Sequence, residues 1–323
     1  MSNQTMYFII KGISSNPALQ APIFCLVLCI YIITVSGNMS ILTLACLDKQ
    51  LHNPMYFFLG NLSLLDISSI TVTLHKILST FISGNKLLPW HECIAQLYFF
   101  MALQCTELLI LAVMSYDRYV AICYPLHYTM IMNFRVCAML AVFCWVLGFI
   151  EVSPHTNILA KFSCYTSNEV NHFFCDVLPI MKLTCNDTSL LKLWIFTEGV
   201  FFSGLLPFSL TVFPYILILR TVLKMRSKTG KRKAFYTCSS HLTVVILLYL
   251  TLYCLYLAPT SDDVLESRKL FSLFNTAAVP LLNPIIYSLK NKDVKSAMRH
   301  QWTSFYSMIS PYLSFVLQKK SKY

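Results

Sequence analysis

Seven long stretches of this chain carry almost no charge, and that pattern restricts its fold more than anything else. From Gly12 to Leu47 there is no charged side chain at all. A helix rises 1.5 Å per residue, so about 20 apolar residues cross a bilayer core of about 30 Å. Spans of that kind fall near Pro22–Leu47, Pro54–Phe81 and Cys93–Ile122, and a fourth starts after Arg135. Three more cover Gly199–Leu219, Ala234–Leu257 and Leu270–Leu289. The chain is 56% hydrophobic and 12% charged, against about 25% charged for a soluble domain. Disorder is excluded, because it needs low hydrophobicity and high charge. A soluble globule would lack the charge to cover its surface. The sequence therefore predicts an all-α membrane protein, a seven-transmembrane helix bundle. Residues 1–21 form an outer N-terminus, 22–289 the bundle, and 290–323 an inner helix and tail.

Lysine and arginine orient the bundle. With the N-terminus outside, 17 of the 25 basic residues fall on inner loops and tail and 8 outside, which satisfies the positive-inside rule. The net charge of +11 is then membrane bias, not a nucleic-acid surface. The N-terminus has no basic leader region, and the first span is expected to act as its own insertion signal. The second outer loop is expected at about 152–192. The apolar tail Trp302–Leu317 contains Pro311 and is short for a span. It reads as a segment lying on the inner membrane face, with Lys290, Lys292, Lys295 and Arg299 towards anionic lipid.

Of 13 cysteines, four lie outside the spans: Cys93, Cys164, Cys175 and Cys185. Their even number in an oxidising compartment predicts two disulfides, with three pairings open. Asn3-Gln-Thr5 is a glycosylation acceptor on the outer side, and Asn186-Asp-Thr188 is a second, hindered by Cys185. The same pattern at Asn38 and Asn61 falls inside spans and is rejected there.

Ionisable groups within a span are functional candidates, because a charge at the bilayer centre costs at least about 2.5–3.5 kcal/mol. Asp66, Glu107 and Arg118 qualify. Along one helix Glu107 lies about 16 Å, and Cys93 about 37 Å, outward of Arg118. Asp66 and Glu107, with Asn38 and Asn283, form a candidate buried polar network that shares a proton or a sodium ion. Asp117-Arg118-Tyr119 places a charge pair at the inner end of the third helix. Asn283-Pro284 weakens the seventh helix one turn before Tyr287, because proline removes a backbone donor.

These features occur in combination with longer motifs. They are Pro54-Met-Tyr-Phe-Phe-Leu59, Met114-Ser-Tyr-Asp-Arg-Tyr-Val-Ala-Ile-Cys-Tyr-Pro-Leu-His-Tyr128, Lys233-Ala-Phe-Tyr-Thr-Cys-Ser-Ser-His-Leu242 and Pro280-Leu-Leu-Asn-Pro-Ile-Ile-Tyr287. Over roughly residues 5–300 the chain resembles the rhodopsin-like G-protein-coupled receptors, and within them the olfactory receptors. It departs from that family in Leu248-Tyr249-Leu250, where Phe-Tyr-Gly is usual, and in a longer tail. The resemblance implies a short amphipathic helix after the seventh span and disulfides Cys93–Cys175 and Cys164–Cys185. It implies an activation switch of Asp117, Arg118, Tyr119, Asn283, Pro284 and Tyr287. The basic segment Lys224–Lys233 would join Arg118 in meeting the G protein, of the stimulatory olfactory type that raises cyclic AMP. An odorant pocket would involve Met101, Gln104, Cys105, Ser203, Tyr249, Tyr253, Tyr256 and Thr276. These positions offer hydroxyls and an amide but no charge, so a small, mostly apolar, neutral volatile is expected. The expected location is the plasma membrane, with lipid around the bundle and no cofactor. A transporter or channel lined by Asp66 and Glu107 is the rival reading. Against it stand the absence of repeats and the inner-face motifs. No HExxH, Gly-x-Ser-x-Gly or phosphate-binding glycine loop points to an enzyme.

Overall fold

The computed structural model describes residues 6–14, 16–257, 264–290 and 294–301. Seven long helices account for most of them: α1 (Pro17–Leu47), α2 (Pro54–Ser83), α3 (Trp90–Cys123), α4 (Phe134–Ala160), α5 (Ser189–Lys224), α6 (228–257) and α7 (264–290). Six are long and apolar enough to cross a membrane, and α6 carries a shorter apolar stretch, His241–Leu255. Local chemistry sets several ends. Asn16 and Asn53 accept hydrogen bonds from the first turns of α1 and α2, and Pro17 and Pro54 occupy the first helical position, where a missing N–H costs nothing. Asn133 and Ser227 cap α4 and α6 in the same way. Gly84 ends α2 at φ 70°, a left-handed conformation that a residue with Cβ adopts only under strain.

α3 is the axis of the bundle. It packs on α2, α4 and α5, and its buried side chains run from Cys93 to Val120. α1 and α4 instead present Leu26, Ile32, Ile33, Met139, Val142 and Phe143 outward, the apolar rim that a lipid-embedded bundle requires. After α7 the segment 294–301 is helical, with Val294 and Ala297 buried and Lys295 and Arg299 exposed. That is the expected short amphipathic helix.

The chain is not wholly helical. Strands β1 (Tyr7–Ile10), β2 (Leu87–Pro89) and β3 (Glu169–Val170) form a sheet in the order β2-β1-β3, β1 being antiparallel to β2 and parallel to β3. Phe8 is fully buried beneath it with Leu88, Leu97 and Val170. Such burial contributes about 2 kcal/mol for one Phe. The N-terminal segment thus stitches the first and second outer loops together.

Five expected boundaries are corrected, two of them the start of α6, at Lys228 rather than Ala234, and the start of α7, at Val264 rather than Leu270. α1 begins at Pro17 rather than Pro22, because Asn16 caps it. α4 runs to Ala160 through Glu151 and Pro154, and α5 begins at Ser189 and passes through Glu198. The second outer loop is accordingly 161–188, shorter than 152–192. Spans drawn from hydropathy stop at charges. The helices do not stop there, because those charges meet partners inside the bundle.

Candidate functional site

A cavity of about 650 Å³ opens between α3, α5, α6 and the second outer loop. Met101, Gln104 and Cys105 line it from α3, Ser203 and Phe208 from α5, Tyr249 and Tyr253 from α6, and Val177, Leu178 and Met181 from the loop. Phe208 stands edge-on to Tyr249, with ring centroids 5.2 Å apart. Six of the eight pocket residues expected from sequence therefore meet at one wall. Thr276 does not. It is buried and donates to the Ser272 carbonyl one turn back in α7 (2.9 Å). The Tyr256 side chain lies outside the described residues, as do Asn3 and the tail 302–317.

Gln104 joins the cavity to the buried network. Its amide nitrogen donates to Glu107 Oε2 (3.0 Å), and its oxygen accepts from Asn275 Nδ2 (2.9 Å). Asn275 Oδ1 in turn accepts from Thr251 Oγ1 on α6 (3.1 Å). Deeper in, Asn283 Nδ2 donates to both oxygens of Asp66 (3.0 Å each). Asn38 Nδ2 donates to the Pro280 carbonyl (3.1 Å). Glu107 Oε1 is buried without a hydrogen-bond partner. Helices α1, α2, α3, α6 and α7 are thereby tied through buried polar groups, whose hydrogen bonds are stronger in the low-dielectric interior than in water. Asn38 and Asn61 lie within helices, and Asn61 accepts from the Trp145 indole (3.1 Å), so neither is a glycosylation site. Asn186 Oδ1 accepts from the backbones of Ser163 and Cys164.

At the inner end of α3, Arg118 donates to its neighbour Asp117 through both Nε (3.0 Å) and Nη2. Tyr128, in the loop after α3, donates to the other Asp117 oxygen (2.8 Å). Burial and the nearby Asp117 carboxylate hold the Tyr128 phenol well above its ordinary range, so it remains a donor. Tyr119 stands apart, reaching Tyr124 Oη (3.4 Å) rather than Arg118. Tyr287 is fully buried. Tyr215 on α5 and His241 on α6 meet at 2.7 Å.

Three residues not expected from sequence, Glu151, His155 and Glu198, join two that were, Cys105 and Ser203. Glu151 and His155 from α4, Glu198 and Ser203 from α5, and Cys105 from α3 converge beside the cavity. Ser203 Oγ lies 3.0 Å from Glu151 Oε1 and 3.2 Å from Glu198 Oε1. His155 Nδ1 is 3.1 Å from Glu198 Oε2. A carboxylate, Glu198, and an ammonium, Lys192, therefore border a pocket expected to carry no charge. The signal is the i, i+4 spacing of Glu151 and His155, but His155 falls within the expected loop 152–192 and Glu151 falls just before it. Glu198 immediately precedes the expected fifth span, Gly199–Leu219. Across the outer face the disulfides are Cys93–Cys175 and Cys164–Cys185, with Cα separations of 5.4 and 5.3 Å.

A family model described as olfactory receptor matches residues 24–304. The chain is 42% identical to olfactory receptor 5B12 of Homo sapiens over 292 residues, covering 90% of this chain and 93% of that protein. It is 41% identical to olfactory receptor 8U3 of Mus musculus, covering 90% and 91%. Squid rhodopsin shares the fold with a TM-score of 0.69 at 16% identity, over 90% of this chain and 87% of that one. The fold is therefore the seven-helix rhodopsin architecture, and the function is that of a receptor rather than an enzyme. By its motifs, its paired cysteines and these relatives, the chain is a multi-pass membrane protein that belongs to the olfactory receptor family.

Proposed function

We propose that this receptor binds a small, mostly apolar, neutral odorant in the outer cavity and activates a stimulatory olfactory-type G protein, raising cyclic AMP. It acts at the plasma membrane with its N-terminus outside. The observation that carries this reading is the cavity itself. Its volume of about 650 Å³ falls in the range of small-molecule sites, about 300–1,000 Å³. Its walls are aromatic and aliphatic apart from a few polar groups and two charged side chains, Glu198 and the exposed Lys192. Glu198 is engaged by Ser203 and faces His155, which leaves Gln104 and the tyrosines to orient a neutral ligand.

The route inward follows the hydrogen bonds. A ligand that takes the Gln104 amide competes with Asn275 and Glu107, and so changes how α6 and α7 sit against α3. Such a ligand shifts the equilibrium only by its difference in affinity for the two arrangements. Asp66 and Glu107 share a proton or a sodium ion in this scheme, a role supported by the unpartnered oxygen of Glu107. At the inner end Arg118, released from Asp117, becomes a contact for the G protein, with the basic residues of 224–233 around it. Cells expressing the chain, exposed to a broad panel of volatiles, should raise cyclic AMP to a subset of them. Arg118→Ala should silence that response at unchanged surface expression. A ligand-evoked current without G protein, or full signalling by Arg118→Ala, would overturn the assignment.

A further inference from the structure

Cys105, Glu151, His155 and Glu198 come from three helices, yet their donor atoms crowd into one small volume beside the cavity. Cys105 Sγ and a carboxylate oxygen from each of Glu151 and Glu198 lie within 4.8 Å of one another. Cys105 Sγ is 3.9 Å from Glu198 Oε1. His155 is 0% exposed, and its Nδ1 faces Glu198 Oε2 at 3.1 Å. That contact is off the line of a hydrogen bond, so a fully buried ring nitrogen aimed into the cluster has no hydrogen-bond partner. A single hydroxyl, Ser203, stands between the two carboxylates. It can donate to only one of them at a time.

The local backbone builds this convergence. Residues 198–205 form a π-helical segment within α5. Its i to i+5 periodicity brings Glu198 and Ser203 to one face, where an α-helix would turn them apart. On α4, Glu151 and His155 are one α-turn apart and share a face. Two carboxylates side by side in a low-dielectric bundle need a cation or a proton between them.

We propose that Cys105, Glu151, Glu198 and His155 form a binding site for a divalent transition-metal ion of the zinc type, which ties α3, α4 and α5 together at the wall of the ligand cavity. Tetrahedral bonds of about 2.0–2.3 Å to sulfur, nitrogen and oxygen place donors about 3.3–3.8 Å apart. The donors of Cys105, Glu151 and Glu198, all within 4.8 Å of one another, lie near that geometry, and His155, whose Nδ1 is 3.1 Å from Glu198 Oε2, completes the set by turning in from the Glu198 side. The mixed set of thiolate, imidazole and carboxylate suits zinc over magnesium or calcium, which prefer oxygen alone. On binding, the Cys105 S–H bond breaks, the sulfur pair forms the metal bond, and the proton leaves to solvent. No electron is transferred. Affinity therefore rises with pH.

The test uses the full chain purified in lipid nanodiscs, without odorant or G protein, so its outcome is separate from that of the proposed signalling. Titration with Co²⁺ should give one saturable ion per chain with a thiolate-to-cobalt charge-transfer band, displaced by Zn²⁺ and not by Mg²⁺. Cys105→Ser should remove the band. Glu198→Gln and Glu151→Gln should each weaken binding by about 10-fold or more. Zn²⁺ should also raise the melting temperature of the unsubstituted chain, reversibly with chelator, a readout that needs no variant to fold. A band that persists in Cys105→Ser would place the metal on another of the free cysteines and overturn the site. So would affinity unchanged in both glutamate variants, or no saturable stabilisation.

Discussion

Tyr128 shows how much can rest on one hydroxyl. Its phenol is the second partner of Asp117, and the first is Arg118 on the same helix. Removing that hydroxyl leaves one Asp117 oxygen unpaired and loosens the hold on the arginine. Tyr128→Phe is expected to raise ligand-independent cyclic AMP several-fold at equal surface expression. Unchanged basal output would mean the tyrosine only packs. His172, in the second outer loop, makes a different prediction. Burial among Phe173 and Phe174 pushes its pKa down to about 4, while the unfolded loop titrates near 6.5. The folded loop therefore resists a proton that the unfolded loop accepts. Stability is full above about pH 6.5, falls as pH drops towards 4, and levels below it, a loss of up to about 3 kcal/mol. Hydrogen exchange in residues 168–176 should quicken over that window, and His172→Gln should flatten the profile.

Within the helices, irregular turns and close approaches decide what the cavity can be. Residues 198–205, 253–257 and 274–278 all form π-turns. Pro207 and Pro280 follow two of them and lack the N–H that would have closed an α-turn onto Ser203 and Thr276. The widened turns turn Glu198 and Ser203 towards the cavity, and Asn275 towards Gln104. The opposite device operates at Gly148 on α4. A Cβ there would fall onto Thr106 Oγ1 and within 2.9 Å of the Thr106 backbone nitrogen. Backbone cannot rotate away, so α3 and α4 must separate. Gly148→Ala should destabilise the bundle by about 1–3 kcal/mol, read as a lower melting temperature in detergent. Adding Thr106→Ala should not restore it, because the backbone clash remains. Full stability in Gly148→Ala would show that the α3–α4 contact is looser than described.

At the scale of the whole molecule, the outer cap and the buried polar ties hold the bundle from two ends. Cys93–Cys175 closes 82 residues and Cys164–Cys185 closes 21. In a chain-entropy account these contribute about 4.5 and about 3.3 kcal/mol. The longer link also anchors the loop residues Val177 and Met181 over the cavity. Cys175→Ser should therefore cut surface expression and thermal stability more than Cys185→Ser does. Equal losses from the two variants would show that the cap is held by the sheet and its buried Phe8 rather than by the link to α3.

The helices and their order were legible in the sequence, because lipid tolerates only uncharged runs and those runs are long. Asp66, Glu107 and Arg118 were legible for the same reason: an ionisable group inside such a run stands out. The family resemblance carried the disulfide pairing and six residues of the cavity wall. Glu151, His155 and Glu198 were hidden, since a charge near a span end looks like the end of the span until a partner on another helix is seen. Thr251 and Asn275 were hidden because neutral polar residues are common in helices, and only packing shows which of them face each other. The small sheet was hidden because a four-residue strand leaves no periodicity to read. Hydropathy is a property of one segment and its solvent, so the chain alone determined which segments enter the membrane. Hydrogen bonds between helices depend on rotation and approach, which are set only when all seven pack together, and that decided the cavity, its carboxylates and the polar path leading inward.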